Sequence, residues 1–169
     1  MTNIYIDSNV IVASEIKEES YHHESKEFME YVLGNRKTDI IFYTSVFTFL
    51  ELASAMIRRT NDRDKTYSLL YRIRNSWKYS IYPLPPITRS KMTSFTRLVD
   101  TLIEASIKFR TPSADSMHAL TIAENKIDYV VTWNKNHFSE LLKQIENLKV
   151  LTPSEMVKEL KIICADIEK

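Results

Sequence analysis

Short runs of β-branched and aromatic residues recur along this chain, each followed by a stretch of helical periodicity. That alternation constrains the fold more than any other feature. The runs are IYI (4–6), IIFYT (40–44), YSIYPL (79–84), DYVVT (128–132) and LKVLT (148–152), all of strand composition. Helical patterning fills the intervals at 9–17, 22–33, 45–59, 62–76 and 88–109. A further helix opens at Pro112 and Ser113, and Thr152-Pro153-Ser154-Glu155 reads as a capping box for a last helix to about Ile163. Strands separated by helices predict an α/β fold, its five-stranded sheet mainly parallel and covered on both faces. No repeat, low-complexity tract or linker interrupts the 169 residues, so one domain over 1–169 is expected.

Absences exclude whole classes of chemistry. Gly34 is the only glycine, whereas Walker-type loops and dinucleotide fingerprints need two or three glycines so that backbone N–H groups close around phosphate. Cys164 is the only cysteine, which rules out an intrachain disulfide and points to a reducing cytoplasm. No signal segment and no run near the roughly 20 apolar residues of a membrane span is visible. The net charge of +1 names no partner. It is unevenly spread, however: residues 14–30 carry six glutamates, and 58–78 carry seven lysines and arginines against Asp62 and Asp64. The basic stretch, interleaved with Tyr67, Tyr71 and Trp77, reads either as a solvated helix face or as a track for an anionic polymer.

Three acids stand where structure alone does not require them. Asp7 ends the first apolar run, Glu51 lies within VFTFLELASAM, and Asp115 falls in the first turn after Pro112. Ligands of open parallel sheets sit outside the carboxyl ends of the strands, and both Asp7 and Thr132–Asn134 fall at that edge. Each acid has a plain alternative: Asp7 as a helix cap, Glu51 as a solvent-facing helix residue, Asp115 as a complement to the helix dipole. Converging carboxylates repel unless a cation neutralises them, and hard oxygen donors favour Mg²⁺ or Mn²⁺. Such an ion generates a hydroxide-like nucleophile and stabilises phosphoryl charge.

IYIDSNVIV, TSVFTFLELASAM, PSADSMHALTIAE and DYVVTWNKNHF resemble, in order and context, the motifs of PIN domains, and among them the VapC-like toxin branch. The resemblance runs from about residue 3 to 155. It implies a three-layer PIN-like fold and a Mg²⁺- or Mn²⁺-dependent endoribonuclease hydrolysing RNA, the toxin of a toxin–antitoxin pair. Dimerisation and a blocking antitoxin are implied as well. Asp7, Glu51 and Asp115 match metal-binding acids of that family. Ser8 and Asn9 match the small polar pair after the first aspartate, and Thr132 the hydroxyl residue after the fourth strand; with Asn134 these are the residues expected beside substrate. Asn134 departs from the pattern, because many members carry an acid there. An amide oxygen ligates without contributing charge. Asp128 is no substitute, since it precedes its strand.

His118, three residues after Asp115, reads chiefly as a packing histidine among Met117, Ala119 and Leu120, with a role in orienting a ligand as the sharper alternative. Trp133, Lys135 and His137 read equally as an ordinary loop or as nucleic-acid contacts. His22 and His23 lack the companions of a zinc site. A phosphatase of the haloacid-dehalogenase type also begins with strand and aspartate, but it expects a second aspartate where Asn9 stands and paired acids after the fourth strand. The remaining alternative is a PIN-like scaffold that binds RNA or protein without cutting.

Overall fold

A computed structural model describes residues 1–35, 39–86, 95–109 and 112–167. Strands β1 (Thr2–Ile6), β2 (Ile40–Ser45), β3 (Ile81–Leu84), β4 (Tyr129–Val131) and β5 (Lys149–Leu151) form one sheet in the order β3-β2-β1-β4-β5. Every pairing is parallel. Helices α1 (Ser8–Glu15), α2 (His22–Gly34), α3 (Thr48–Thr60), α4 (Arg63–Trp77), α5 (Phe95–Phe109), α6 (Ser113–Glu124), α7 (Lys135–Leu141) and α8 (Pro153–Ile167) fill the connections.

The period-2 alternation of strand side chains divides the core in two. Ile4 and Ile6 of β1 join Phe42, Val131, Leu52 and residues of α1, α2, α4 and α8 on one face. Tyr5, between them in sequence, joins Val130, Ile122 of α6 and Phe138 of α7 on the other. This is the expected α/β sheet with helices on both faces. Among the described residues no helix is long and apolar enough to cross a membrane.

Local chemistry fixes the ends. Thr152 and Glu155 make the capping box: the Thr152 N–H donates to Glu155 Oε2 at 2.8 Å, and the Glu155 N–H to Thr152 Oγ1 at 3.3 Å. Asp62 caps α4 through the Lys65 N–H, and Asn61 closes α3 in the left-handed conformation that asparagine tolerates. Helix α3 begins at Thr48 instead of Ser45, because Ser45 still pairs with Leu84 in the sheet. Strand β3 starts at Ile81, two residues later than its composition indicates. The expected helix over 88–109 is described only from Phe95; residues 88–94 lie outside the described residues.

The strand order matters for the site. From β1 the chain steps outward to β2 and β3, then returns to β4 on the other side of β1. The reversal point lies between β1 and β4, and in open α/β sheets the crevice outside the carboxyl ends at such a point is where ligands bind. Asp7 follows β1 there, and Thr132 follows β4.

Candidate active site

Asp7 sits at the N-cap of α1, but its side chain does not cap the helix. It is buried, and Oδ2 accepts a hydrogen bond from Thr132 Oγ1 at 2.7 Å. The Thr132 hydroxyl is itself wholly buried and accepts from Asn9 Nδ2 (3.1 Å) and the Asn134 N–H (3.0 Å). Asn9 Oδ1 in turn accepts from the Trp133 N–H. Thus Asn9, Thr132 and Asn134 lace the end of β4 to the start of α1 around one carboxylate. Ser8 is buried, its hydroxyl 3.5 Å from Asp7 Oδ1. Asn134 is exposed at the start of α7, with no side-chain cap.

Glu51, in the first turn of α3, meets a partner whose sequence context suggests chiefly packing. His118 Nε2 lies 2.7 Å from Glu51 Oε2 and 3.9 Å from Asp7 Oδ1. Its other nitrogen, Nδ1, lies 2.5 Å from the Tyr5 hydroxyl. Tyr5 and His118 are both fully buried, their rings edge-on at 5.9 Å. A chain of contacts therefore runs from the core phenol through imidazole to the carboxylates. The sequence holds a partial signal for it: His118 follows Asp115 by three on one helix. Asp115, in the first turn of α6, lies 3.1 Å from His137 Nε2.

Charge couples these groups. Burial pushes the Asp7 carboxyl above its ordinary range; His118 and Thr132 oppose the shift, while the negative charges of Glu51 and Asp115 add to it. Burial also acts to raise Glu51, but the hydrogen bond and charge of His118, with a hydrogen bond from Ser8, make the net shift downward. For His118, burial acts to lower the imidazole, and Glu51, Asp7 and Asp115 together lift it above its usual value. The phenol of Tyr5 is held neutral, first by burial and then by Asp7. All three acids thus contribute to a single electrostatic cluster at the reversal point of the sheet.

In kind, the donors suit a hard divalent cation, since carboxylates and hydroxyls are all oxygen ligands. In placement they are not gathered: among the described residues no three His, Cys, Asp or Glu side chains form a group that could hold a metal ion. Imidazoles stand against Glu51 and Asp115 instead. The neighbouring loop is tied down by contacts of its own. Trp133 Nε1 donates to Ser25 Oγ (2.8 Å), its ring stacks on Tyr21 at 4.1 Å, and Lys135 pairs with Glu155 at 2.8 Å. Asp128 lies at the opposite edge, where Oδ2 accepts from the Asn3 N–H.

The fold is PIN-like α/β. Solved structures similar to it include a VapC toxin and two VapBC proteins. VapC20 of Mycobacterium tuberculosis, described as a sarcin-ricin loop cleaving toxin, aligns with TM-score 0.55 at 14% identity, covering 81% of this chain and 94% of its own. VapBC-1 of nontypeable Haemophilus influenzae aligns at 0.56 and 11%, covering 90% and 99%. VapBC2 of Rickettsia felis, solved bound to a promoter DNA fragment, aligns at 0.53 and 14%, covering 88% and 97%. At these identities the likeness is one of fold. No family model matches the sequence, and no curated protein does.

Proposed function

We propose that residues 1–169 form a single PIN-like unit that acts as a metal-dependent endoribonuclease, the toxin of a toxin–antitoxin pair. The observation that carries this reading is the buried Asp7 at the β1/β4 reversal point, charge-coupled to Glu51 and Asp115 in a fold shared with VapC toxins. Asp7, Glu51 and Asp115 would hold Mg²⁺ or Mn²⁺ once the imidazoles yield; such an ion supplies charge neutralisation and an activated water. The chain's own contribution is to fix Asp7 through Thr132 and Asn9 and to keep its carboxylate out of bulk water. Ser8, beside Asp7, and Asn134, whose N–H meets Thr132, would be the residues next to a phosphodiester.

Two of the neighbours were solved as VapBC, which supports a protein antitoxin as partner. A homodimer and a cytoplasmic location complete the proposal. The test is cleavage of single-stranded RNA across a Mn²⁺ and Mg²⁺ titration. Asn134 supplies no charge, so activity should need high metal and favour Mn²⁺. Asn134→Asp should shift half-maximal activity to lower metal, and Asp7→Asn should abolish cleavage in either background. If wild type and Asn134→Asp are both folded and inert over the whole range, the alternative of a non-cutting PIN-like scaffold replaces the nuclease.

A further inference from the structure

The uneven charge of the sequence resolves into two parts. Glu15 pairs with Arg72 at 2.7 Å, and Glu19 pairs with Arg59, so part of the basic stretch neutralises the acidic one. Arg74 and Lys78 form no ion pair among the described residues. They continue a stripe along α4 and its C-cap: Tyr67, Tyr71, Arg74 and Lys78, the last with its ammonium over the Tyr79 ring, follow at intervals of four, three and four, about 16 Å in length. The opposite face of α4 (Leu69, Ile73, Trp77) enters the core, while Tyr67 and Tyr71 are 66% and 74% exposed.

This stripe lines a groove of about 1020 Å³ between α3, α4 and β3, with Leu50 and Tyr82 contributed by the other elements. Among the described residues no carboxylate lines it. Leu50 is 62% exposed and Tyr82 48%, and contiguous exposed apolar surface of this kind marks a binding site. Helix α3 is shared with the acid cluster: Leu50 lines the groove, and Glu51, the next residue, turns about 100° away from it onto His118.

Unstacked planar rings beside cations, with no acid among them, complement a strand whose bases are free to stack and whose phosphates are negative. A duplex hides its base faces. Addition of a protein strand to the sheet edge is blunted by Pro83 in β3. We propose that this groove is a single-stranded-RNA track, with bases on Tyr67, Tyr71 and Tyr82 and phosphates on Arg74 and Lys78. This rests on the nuclease reading for its substrate class.

The experiment is fluorescence anisotropy of a labelled oligouridine of about twelve nucleotides with the full chain in EDTA, where no metal-dependent cleavage competes. Tyr67→Ala/Tyr71→Ala should weaken binding about 25-fold or more, roughly five-fold per ring at the low end of base–aromatic stacking. Tyr67→Phe/Tyr71→Phe keeps both rings and should restore affinity. Arg74→Gln/Lys78→Gln should flatten the dependence of log K on log salt by about 1.4, some 0.7 for each phosphate no longer neutralised. Circular dichroism and sedimentation accompany each variant. Alanine variants that bind as wild type overturn the proposal, and so does a loss of self-association with RNA affinity intact, which would make the groove an interface between copies. Mn²⁺-dependent cleavage by unaltered protein is scored separately. Cleavage together with undiminished binding by the alanine variants overturns the groove alone. Tyrosine-dependent binding without cleavage supports the groove and ends the nuclease reading.

Discussion

Thr132→Val tests whether Asp7 is held as described. Valine keeps the shape of threonine but cannot donate to Asp7 Oδ2 (2.7 Å) or accept from Asn9 Nδ2 and the Asn134 N–H. A hydrogen bond to a charged group contributes about 1.5–3 kcal/mol, and a stranded buried donor adds about 1 kcal/mol or more. Asn134 is exposed, so its N–H can turn to water and only part of the second cost applies. The sum is about 2–4 kcal/mol, or roughly 5–15 °C in Tm for a chain of this size. Thr132→Ser keeps the hydroxyl and should lose only about 1 kcal/mol for its methyl group. The pH dependence has a definite sign. Burial already raises the folded-state pKa of Asp7, and Thr132 opposes that shift; removing the donor raises it further. The valine penalty is therefore full above the folded pKa and shrinks as pH falls through it. Urea denaturation in EDTA at neutral and mildly acidic pH reads both effects. A Thr132→Val protein within about 0.5 kcal/mol of Thr132→Ser at neutral pH would refute the reasoning.

Two other outcomes follow from the cluster. Because His118 is raised above its ordinary value, its contribution to stability is fully present below the unfolded pKa of about 6.5 and is lost as pH rises through the folded value. Tm of the metal-free protein should fall across that window, and His118→Gln should flatten the slope; equal slopes in both proteins would remove the charged imidazole from the account. Mn²⁺ that binds only the native state should raise Tm with concentration, and Asp115→Asn should reduce the gain. A Tm indifferent to Mn²⁺ in the wild type would count directly against these acids as ligands.

What the sequence reveals and what it hides divide along a physical line. The strands and the α8 capping box depend on neighbours one to four residues apart and are legible, and the alternation of strands with helices makes the parallel sheet legible too. Asp7 and Thr132 can be placed at one sheet edge because strand direction alone puts them there. His118 reads as a packing residue because its sequence neighbours Met117, Ala119 and Leu120 describe a packed helix. Its bonding partners, Tyr5 and Glu51, come from β1 and α3. Tyr5 is equally hidden, since in IYI it counts as one more apolar strand residue until its hydroxyl is seen against Nδ1. The same holds for charge. Glu15 and Arg72 are 57 residues apart, so composition can show an imbalance but not that the two blocks partly cancel. At the sheet edge the hidden contacts are those of the acids: His118 stands against Glu51 and His137 against Asp115. A cation entering the cluster would compete with those imidazoles, so its affinity would report the difference between two sets of partners for the same acids.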